Sequence, residues 1–249
     1  MDYKADMHIH SKYSFDSTEE ILNYIKKAED NNINYIALTD HIEFYNQSLS
    51  EVIERINKRN KEIDELQKDT NVTILKGLEI SEPHLYYDNI KKLKNYIDID
   101  VILGSIHHLD NMSLRKKKDD STAINRYLNE LLNMVTTSDI DIVAHLDYIK
   151  RFIDNPKFNK IILNEILAII KSRNLALEIN TSGVRRNCGT FPSNEILDMY
   201  KNLGGKRITV GSDAHTLNEF NEGYDEILPN LDKYNFDTGI VKKRVFKKF

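Results

Sequence analysis

A single cysteine, Cys188, stands in a chain of 249 residues. That excludes an internal disulfide framework and suits a reducing compartment, with Cys188 read as a free thiol. Only nine glycines and four prolines occur, so no long flexible linker between domains is expected. No window of about 18 apolar residues is present to span a bilayer. The opening MDYKADMHIH is charged where a secretory leader would need an apolar stretch. The expectation is a cytoplasmic protein without a membrane partner. Neither sign of charge dominates: Lys+Arg number 35 and Asp+Glu 39, a formal net charge of -4. With no global positive field to hold a phosphate backbone, nucleic acid is disfavoured as a partner. The run Lys242, Lys243, Arg244, Lys247, Lys248 is a local exception, read as a solvated face without a role.

A chain of this length can bury roughly 70 to 75% of its unfolded surface in one core, so a single domain over residues 1–249 is expected. Short β-branched or apolar runs alternate with stretches of helical period, the signature of βα units around a parallel sheet. Seven runs carry the strand pattern: Asp6 to Ile9, Tyr35 to Thr39, Val72 to Leu78, Val101 to Ser105, Ile142 to Ala144, Ala176 to Ile179 and Arg207 to Gly211. The first helix is expected to open on a capping box of Ser17 and Glu20, the second on Ser48 and Glu51, each ahead of an apolar stripe. Further helices are expected over Asp88 to Tyr96, Ser121 to Val135, Lys157 to Arg173, Asn194 to Leu203 and Asn218 to Leu231.

Seven such units fit either an open doubly wound sheet or a closed barrel, and the polar residues favour the barrel. A barrel delivers every strand's C-terminal end to one mouth, and here the strand ends carry the chemistry. They read His8-Ile9-His10, Thr39-Asp40-His41, Glu79, Ser105-Ile106-His107-His108, His145-Leu146-Asp147 and Ser212-Asp213-Ala214-His215. Side chains two apart on a strand share a face, so His8 with His10, and Asp213 with His215, can chelate one ion together. A lone histidine is most often a satisfied core or surface residue. Every histidine here except His84 follows an expected strand, which makes chance placement a poor account.

Imidazole mixed with carboxylate suits zinc, iron or manganese, and the lack of cysteine ligands argues against a structural zinc knot. So many ligands exceed one tetrahedral ion, so two or three ions sharing a bridging carboxylate are expected. Such a cluster lowers the pKa of bound water toward roughly 7, supplies hydroxide at neutral pH and neutralises charge on a phosphoryl group. Phosphate monoesters, whose hydrolysis enzymes accelerate by up to about 10²¹-fold, demand that help.

The ordered motifs HIHSKYSFDS, ALTDHIEF, GLEI, GSIHHLD, AHLDYIKR, EINTSGVRR and GSDAHTL resemble the polymerase and histidinol phosphatase (PHP) superfamily over about Asp6 to Tyr224. Within it the resemblance is to its histidinol-phosphate phosphatases. It implies a distorted seven-stranded (β/α) barrel with a trinuclear centre and a small phosphorylated substrate, L-histidinol phosphate, cleaved in histidine biosynthesis. It also implies a first metal site of His8, His10, Glu79 and Asp213, and a second of Glu79, as bridge, with His107 and His145. The third is Asp16, His41 and His215, and Glu79, Asp213 and His215 act in catalysis. Without the resemblance Asp16 would be read as a helix N-terminal charge. His108 should point away from His107, Asp40 should orient a ligand or its own loop, and Asp147 could do either. Lys150, Arg151, Arg185 and Arg186 follow strands five and six, and Arg151, Arg185 and Arg186 are the candidates for phosphate. Glu82, His84 and Glu178 are the candidates for the substrate's amine and imidazole. The stretch Ile80 to Tyr87 departs from the common family pattern, which bears on substrate fit.

Rival chemistries find less support. A cysteine phosphatase needs Arg six positions after its cysteine, where Asn194 stands, and the Asp98-Ile99-Asp100 of a haloacid dehalogenase-type site precedes its strand instead of ending one. Amidohydrolase barrels share the first HxH but place a bridging lysine where Glu79 stands. A PHP-type nuclease or nucleotide phosphatase is the alternative enzyme. An inactive metal-binding module is the non-enzymatic one, though such modules usually lose ligands. Oligomeric state is left open.

Overall fold

The computed structural model describes residues 4–116 and 122–249. The strands are β1 (Ala5–Ile9), β2 (Tyr35–Leu38), a two-residue β3 (His41–Ile42), β4 (Thr73–Ser81) and β5 (Val101–Ser105). A small hairpin follows, β6 (His108–Leu109) and β7 (Met112–Ser113), then β8 (Ile142–Val143), β9 (Ala176–Asn180) and β10 (Arg207–Gly211). A second hairpin, β11 (Asp237–Lys242) and β12 (Val245–Lys248), ends the chain. The helices are α1 (Ile21–Asp30), α2 (Leu49–Leu66), α3 (Tyr87–Leu93), α4 (Ala123–Thr137), α5 (Lys160–Ser172), α6 (Asn194–Asn202) and α7 (Tyr224–Tyr234). Ser121, where the fourth helix was expected to open, lies outside the described residues.

The strands pair in the order β1-β2-β4-β5-β8-β9-β10-β11-β12, parallel throughout except for the final hairpin. Sequential parallel neighbours joined by helices are the βα arrangement that the alternating pattern predicts. The strands are buried on both faces, so their apolar runs are nearly continuous. Ile36, Leu38, Leu75, Leu78, Ile102, Leu103, Val143, Leu177 and Val210 are wholly buried, each contributing roughly 1.5–3 kcal/mol.

Closure joins β10 to β1 at one end only. The Asp213 N–H donates to the His8 carbonyl and the His10 N–H to the Ala214 carbonyl, each at 2.8 Å. At its other end β10 pairs with β11, Arg207 against Asp237 and Ile208 against Thr238. The sheet is thus a barrel sealed at its C-terminal mouth and prised apart below by the terminal hairpin.

Three local expectations are corrected. The Ser48–Glu51 box caps α2, the Glu51 N–H bonding Ser48 Oγ at 3.3 Å and the Ser48 N–H bonding Glu51 Oε2 at 2.9 Å. Ser17 and Glu20 form no such box: α1 opens after Glu20 with no side-chain cap. The Ser17 hydroxyl accepts from the Glu19 N–H and donates to the carbonyls of His10 and His215, a local turn that competes with helix initiation. The segment Asn218 to Leu231 divides into a short 3-10 turn, Leu217–Glu219, and α7. The C-terminal basic run also has structure: Arg244 pairs with Asp139, at 2.9 Å, and with Asp141, fastening the last hairpin to the turn before β8.

Candidate metal centre

The strand-end histidines and carboxylates converge at the sealed mouth of the barrel. His8 sits on β1, with His10 just past it on the same face. His41 opens β3, Glu79 lies within β4, His107 follows β5, His145 follows β8, and Asp213 and His215 follow β10. Glu79 is central and wholly buried. Its Oε1 faces His145 Nε2 at 2.8 Å and His107 Nε2 at 3.3 Å. Its Oε2 faces His41 Nδ1 at 2.9 Å, His8 Nε2 at 3.3 Å and His10 Nε2 at 3.5 Å. Asp213 Oδ1 stands 3.2 Å from His10 Nε2 and 3.6 Å from His8 Nε2. Asp16 Oδ2 lies between His215 Nε2, at 3.1 Å, and His41 Nε2, at 3.4 Å.

Protein contacts alone leave this constellation poorly satisfied. Glu79 Oε2, His41 Nδ1 and His145 Nδ1 are buried without a hydrogen-bond partner, and two ring nitrogens, His8 Nε2 and His10 Nε2, face each other at 3.0 Å. Buried polar groups are normally paired, so Glu79 Oε2 and His41 Nδ1, left unpartnered although only 2.9 Å apart, fit a site for a divalent cation. Three groups account for the nine expected residues: His8, His10 and Glu79 with Asp213 alongside; Glu79, His107 and His145; and His10, Asp16, His41 and His215. Each oxygen of Glu79 serves a different group.

Electrostatics reinforce the picture. Burial would raise the Glu79 carboxyl, but the charges of His41, His8 and His107 outweigh it and hold it well below the usual range. Burial alone would lower His8, yet Glu178, Asp213 and Glu79 carry it well above its ordinary value. His10 is pushed well down by burial and by its neighbours His215 and His41, leaving a neutral imidazole of the kind a metal needs. Two residues of the site adopt left-handed backbone, His145 at φ 24° and Asp213 at φ 54°, which for residues other than glycine costs of order 1–3 kcal/mol each.

Around the ligands the chain builds a support. Asp40 is no ligand candidate. Its Oδ1 accepts from the Ser11 N–H at 2.7 Å and its Oδ2 from the wholly buried Arg59 at 3.0 Å, fixing the loop after His10. Asp147 also turns away, its Oδ2 accepting from Lys150 Nζ and the Ser193 N–H, each at 3.0 Å. Lys150 is thereby committed to Asp147 and the Thr190 carbonyl. His108 stands outside the donor groups, its Nδ1 3.3 Å from Glu82 Oε2 and its ring 4.5 Å from Tyr45.

The mouth opens into a cleft of about 600 Å³, lined among others by Phe15, Tyr45, Tyr148, Arg151 and Arg186. Arg151 Nη1 donates to the Tyr148 hydroxyl at 3.0 Å. Burial and the charges of Arg151 and Arg185 lower Arg186 from the ordinary arginine range. Arg185 is not among the cleft-lining residues. It donates to the carbonyls of Ser212, at 2.8 Å, and Asp213, at 3.1 Å, holding the loop that presents Asp213. The residues considered for the amine and imidazole are likewise engaged. Glu82 accepts from the His107 and His108 N–H groups. His84 pairs with Glu130 at 2.6 Å, and Glu178 is wholly buried. Glu43 is the carboxylate that the sequence reading passed over. It lines the cleft with His107 Nδ1 3.6 Å away, and its position two residues after His41, at strand period, was the available signal.

A barrel whose C-terminal mouth gathers His, Asp and Glu side chains that could hold metal defines a metal-dependent hydrolase class of enzyme. The PHP domain family model matches residues 6–182, and the chain belongs to that family. A probable histidinol-phosphatase of Thermotoga maritima is 30% identical over 93% of each chain. The histidinol-phosphatase of Lactococcus lactis is 30% identical over 85% of this chain and 84% of its own. The crystal structure of the histidinol phosphate phosphatase of Lactococcus lactis, complexed with zinc, L-histidinol and phosphate, superposes with a TM-score of 0.80. It is 26% identical, over 98% of this chain and 99% of that one.

Proposed function

We propose that this chain hydrolyses L-histidinol phosphate to L-histidinol and inorganic phosphate, using two or three divalent transition-metal ions, zinc, manganese or iron. The observation that carries the reading is the division of Glu79 between two donor groups inside a fold similar to one crystallised with zinc, histidinol and phosphate. His8, His10, Glu79 and Asp213 would hold one ion, Glu79, His107 and His145 a second, and Asp16, His41 and His215 a third. Ions so held supply Lewis acidity and a nucleophile at neutral pH. Glu79 sets the spacing of the donor groups, and Asp213 and His215 line the cleft. Arg151 and Arg186 donate to the remaining phosphate oxygens in the planar, forked manner that suits guanidinium. Arg185 serves indirectly, by fixing Asp213. The single cysteine suits the reducing cytoplasm, where the proposed reaction would serve histidine biosynthesis. Among the described residues no helix is long and apolar enough to cross a membrane.

Steady-state phosphate release on a panel of esters tests the substrate. L-histidinol phosphate is expected to give a kcat/KM well above AMP and short oligonucleotides. Turnover of histidinol phosphate no better than AMP, with efficient degradation of a short single strand, would replace this reading with a PHP-type nuclease. Arg151→Ala is expected to lose one charge-assisted hydrogen bond to phosphate, about 1.5–3 kcal/mol or roughly 10- to 150-fold in kcat/KM. A change below twofold in the same assay would remove Arg151 from the clamp.

A further inference from the structure

Glu178 lies on β9, wholly buried, one layer beneath the donor groups. Its Oε1 stands 2.7 Å from His8 Nδ1. Its Oε2 accepts from the His145 backbone N–H at 2.8 Å and from Asn180 Nδ2 at 3.1 Å. One carboxylate thus holds two of the expected metal ligands, His8 by its ring and His145 by its main chain. His145 is held where its backbone is strained, at φ 24°. The facing strand makes room for this arrangement. A Cβ at Gly211 would lie 2.5 Å from Glu178 Oε1 and 2.4 Å from His8 Cβ, so the His8–Glu178 contact exists only because residue 211 has no side chain.

We infer that Glu178 is a positioning residue that fixes the His8 tautomer for metal binding and holds the His145 loop against it, resting on the metal-dependent reading above. A carboxylate accepts on both oxygens. His8 therefore holds a proton on Nδ1 and would meet a metal through Nε2, the nitrogen directed at Glu79, His10 and Asp213. A carboxylate behind a ligating imidazole fixes the ring and raises its basicity, and loss of such a partner costs about 10- to 100-fold in metal affinity.

Glu178→Gln separates positioning from structure, because the amide has nearly the same size but one of its ends only donates. With its oxygen toward the His145 N–H and Asn180, its NH₂ meets His8 Nδ1 as an acceptor. Every group is then satisfied in the metal-free protein, but the His8 proton has moved to Nε2, where it blocks a metal. The experiment is Zn²⁺ binding by competition with a chromophoric chelator, beside the melting temperature of the metal-free protein and long-range ¹H–¹⁵N spectra of the histidine rings. The expected result is zinc binding weakened about 10- to 100-fold at His8's site, an unchanged metal-free melting temperature, and His8 protonated on Nε2. Wild-type zinc affinity in the variant would overturn the inference alone. So would weaker binding with an equally large drop in the metal-free melting temperature and His8 still protonated on Nδ1. Failure of the wild type itself to bind zinc would overturn the metal-dependent reading and this inference with it.

Discussion

Glu79→Gln is expected to lower kcat/KM by roughly 150- to 5,000-fold. That is the equivalent of the 3–5 kcal/mol typical of stripping one charge from a buried, paired cluster. Each Glu79 oxygen faces a different set of imidazoles, so the neutral amide weakens two donor groups at once, and its NH₂ points a donor where an acceptor is needed. His108→Ala is the control. His108 lies outside the donor groups, its ring against Glu82 and Tyr45 at the cleft edge, so its loss should cost no more than the ~1 kcal/mol of an ordinary hydrogen bond, about fivefold. Steady-state phosphate release on both proteins makes the comparison, and equal losses would show that Glu79 does not occupy the bridging position.

Exhaustive chelation is expected to reduce hydrolysis to background, and added Mn²⁺ or Zn²⁺ to restore it. Stability should follow, because an ion present at about 1,000 times its dissociation constant stabilises the folded chain by roughly 4 kcal/mol. The pH dependence has a definite sign. Burial lowers His41, but the charge of Glu79 and the contact with Asp16 outweigh it and raise its pKa from 6.5 to about 9. In the metal-free protein the stability this gives is fully present below pH 6.5 and is lost as pH rises through about 9. A cation must displace that proton, so its affinity climbs over the same interval. The rise in Tm on adding a fixed Mn²⁺ concentration should therefore grow between pH 6.5 and 9. A rise that is flat or shrinks across the interval, or full activity after chelation, would count against His41 as a ligand.

The seven barrel strands can be read from the chain because each is a compact apolar run, and the ligand candidates because alternation carries from a strand into the residue just past its end. His8 with His10 and Asp213 with His215 are cases in point. The supporting shell is harder to read, since it depends on where a side chain is spent once the fold exists. Arg185 and Arg186 are adjacent on a short 3-10 turn, where neighbours diverge by about 120°. One lines the cleft and the other clamps backbone carbonyls, a choice no spacing rule makes. Glu178 alternates inward as a substrate-binding residue would, yet Gly211 lets it sink beneath the ligands. Ser17 and Ser48 carry the same spacing to glutamate, and only Ser48 caps a helix, because the Ser17 hydroxyl is drawn to the carbonyls of His10 and His215. The two residues of β3 give too little pattern to detect unaided.

Sealing the barrel and assembling the ligands share their hydrogen bonds, since Asp213 closes onto the carbonyl of His8 and His10 onto that of Ala214. This sets a schedule during biosynthesis. His8 and Asp213 are separated by 213 − 8 = 205 residues, which a ribosome adds in roughly 10–40 s at about 5–20 residues per second. Once β2 has been made, β1 has that partner but no β10 for the rest of the interval, and the imidazoles of His8 and His10 face an open seam. A nascent chain therefore completes the proposed metal centre only after β10 has left the exit tunnel, and a ribosome stalled within α6 would display an unsealed sheet that lacks β10, Asp213 and His215.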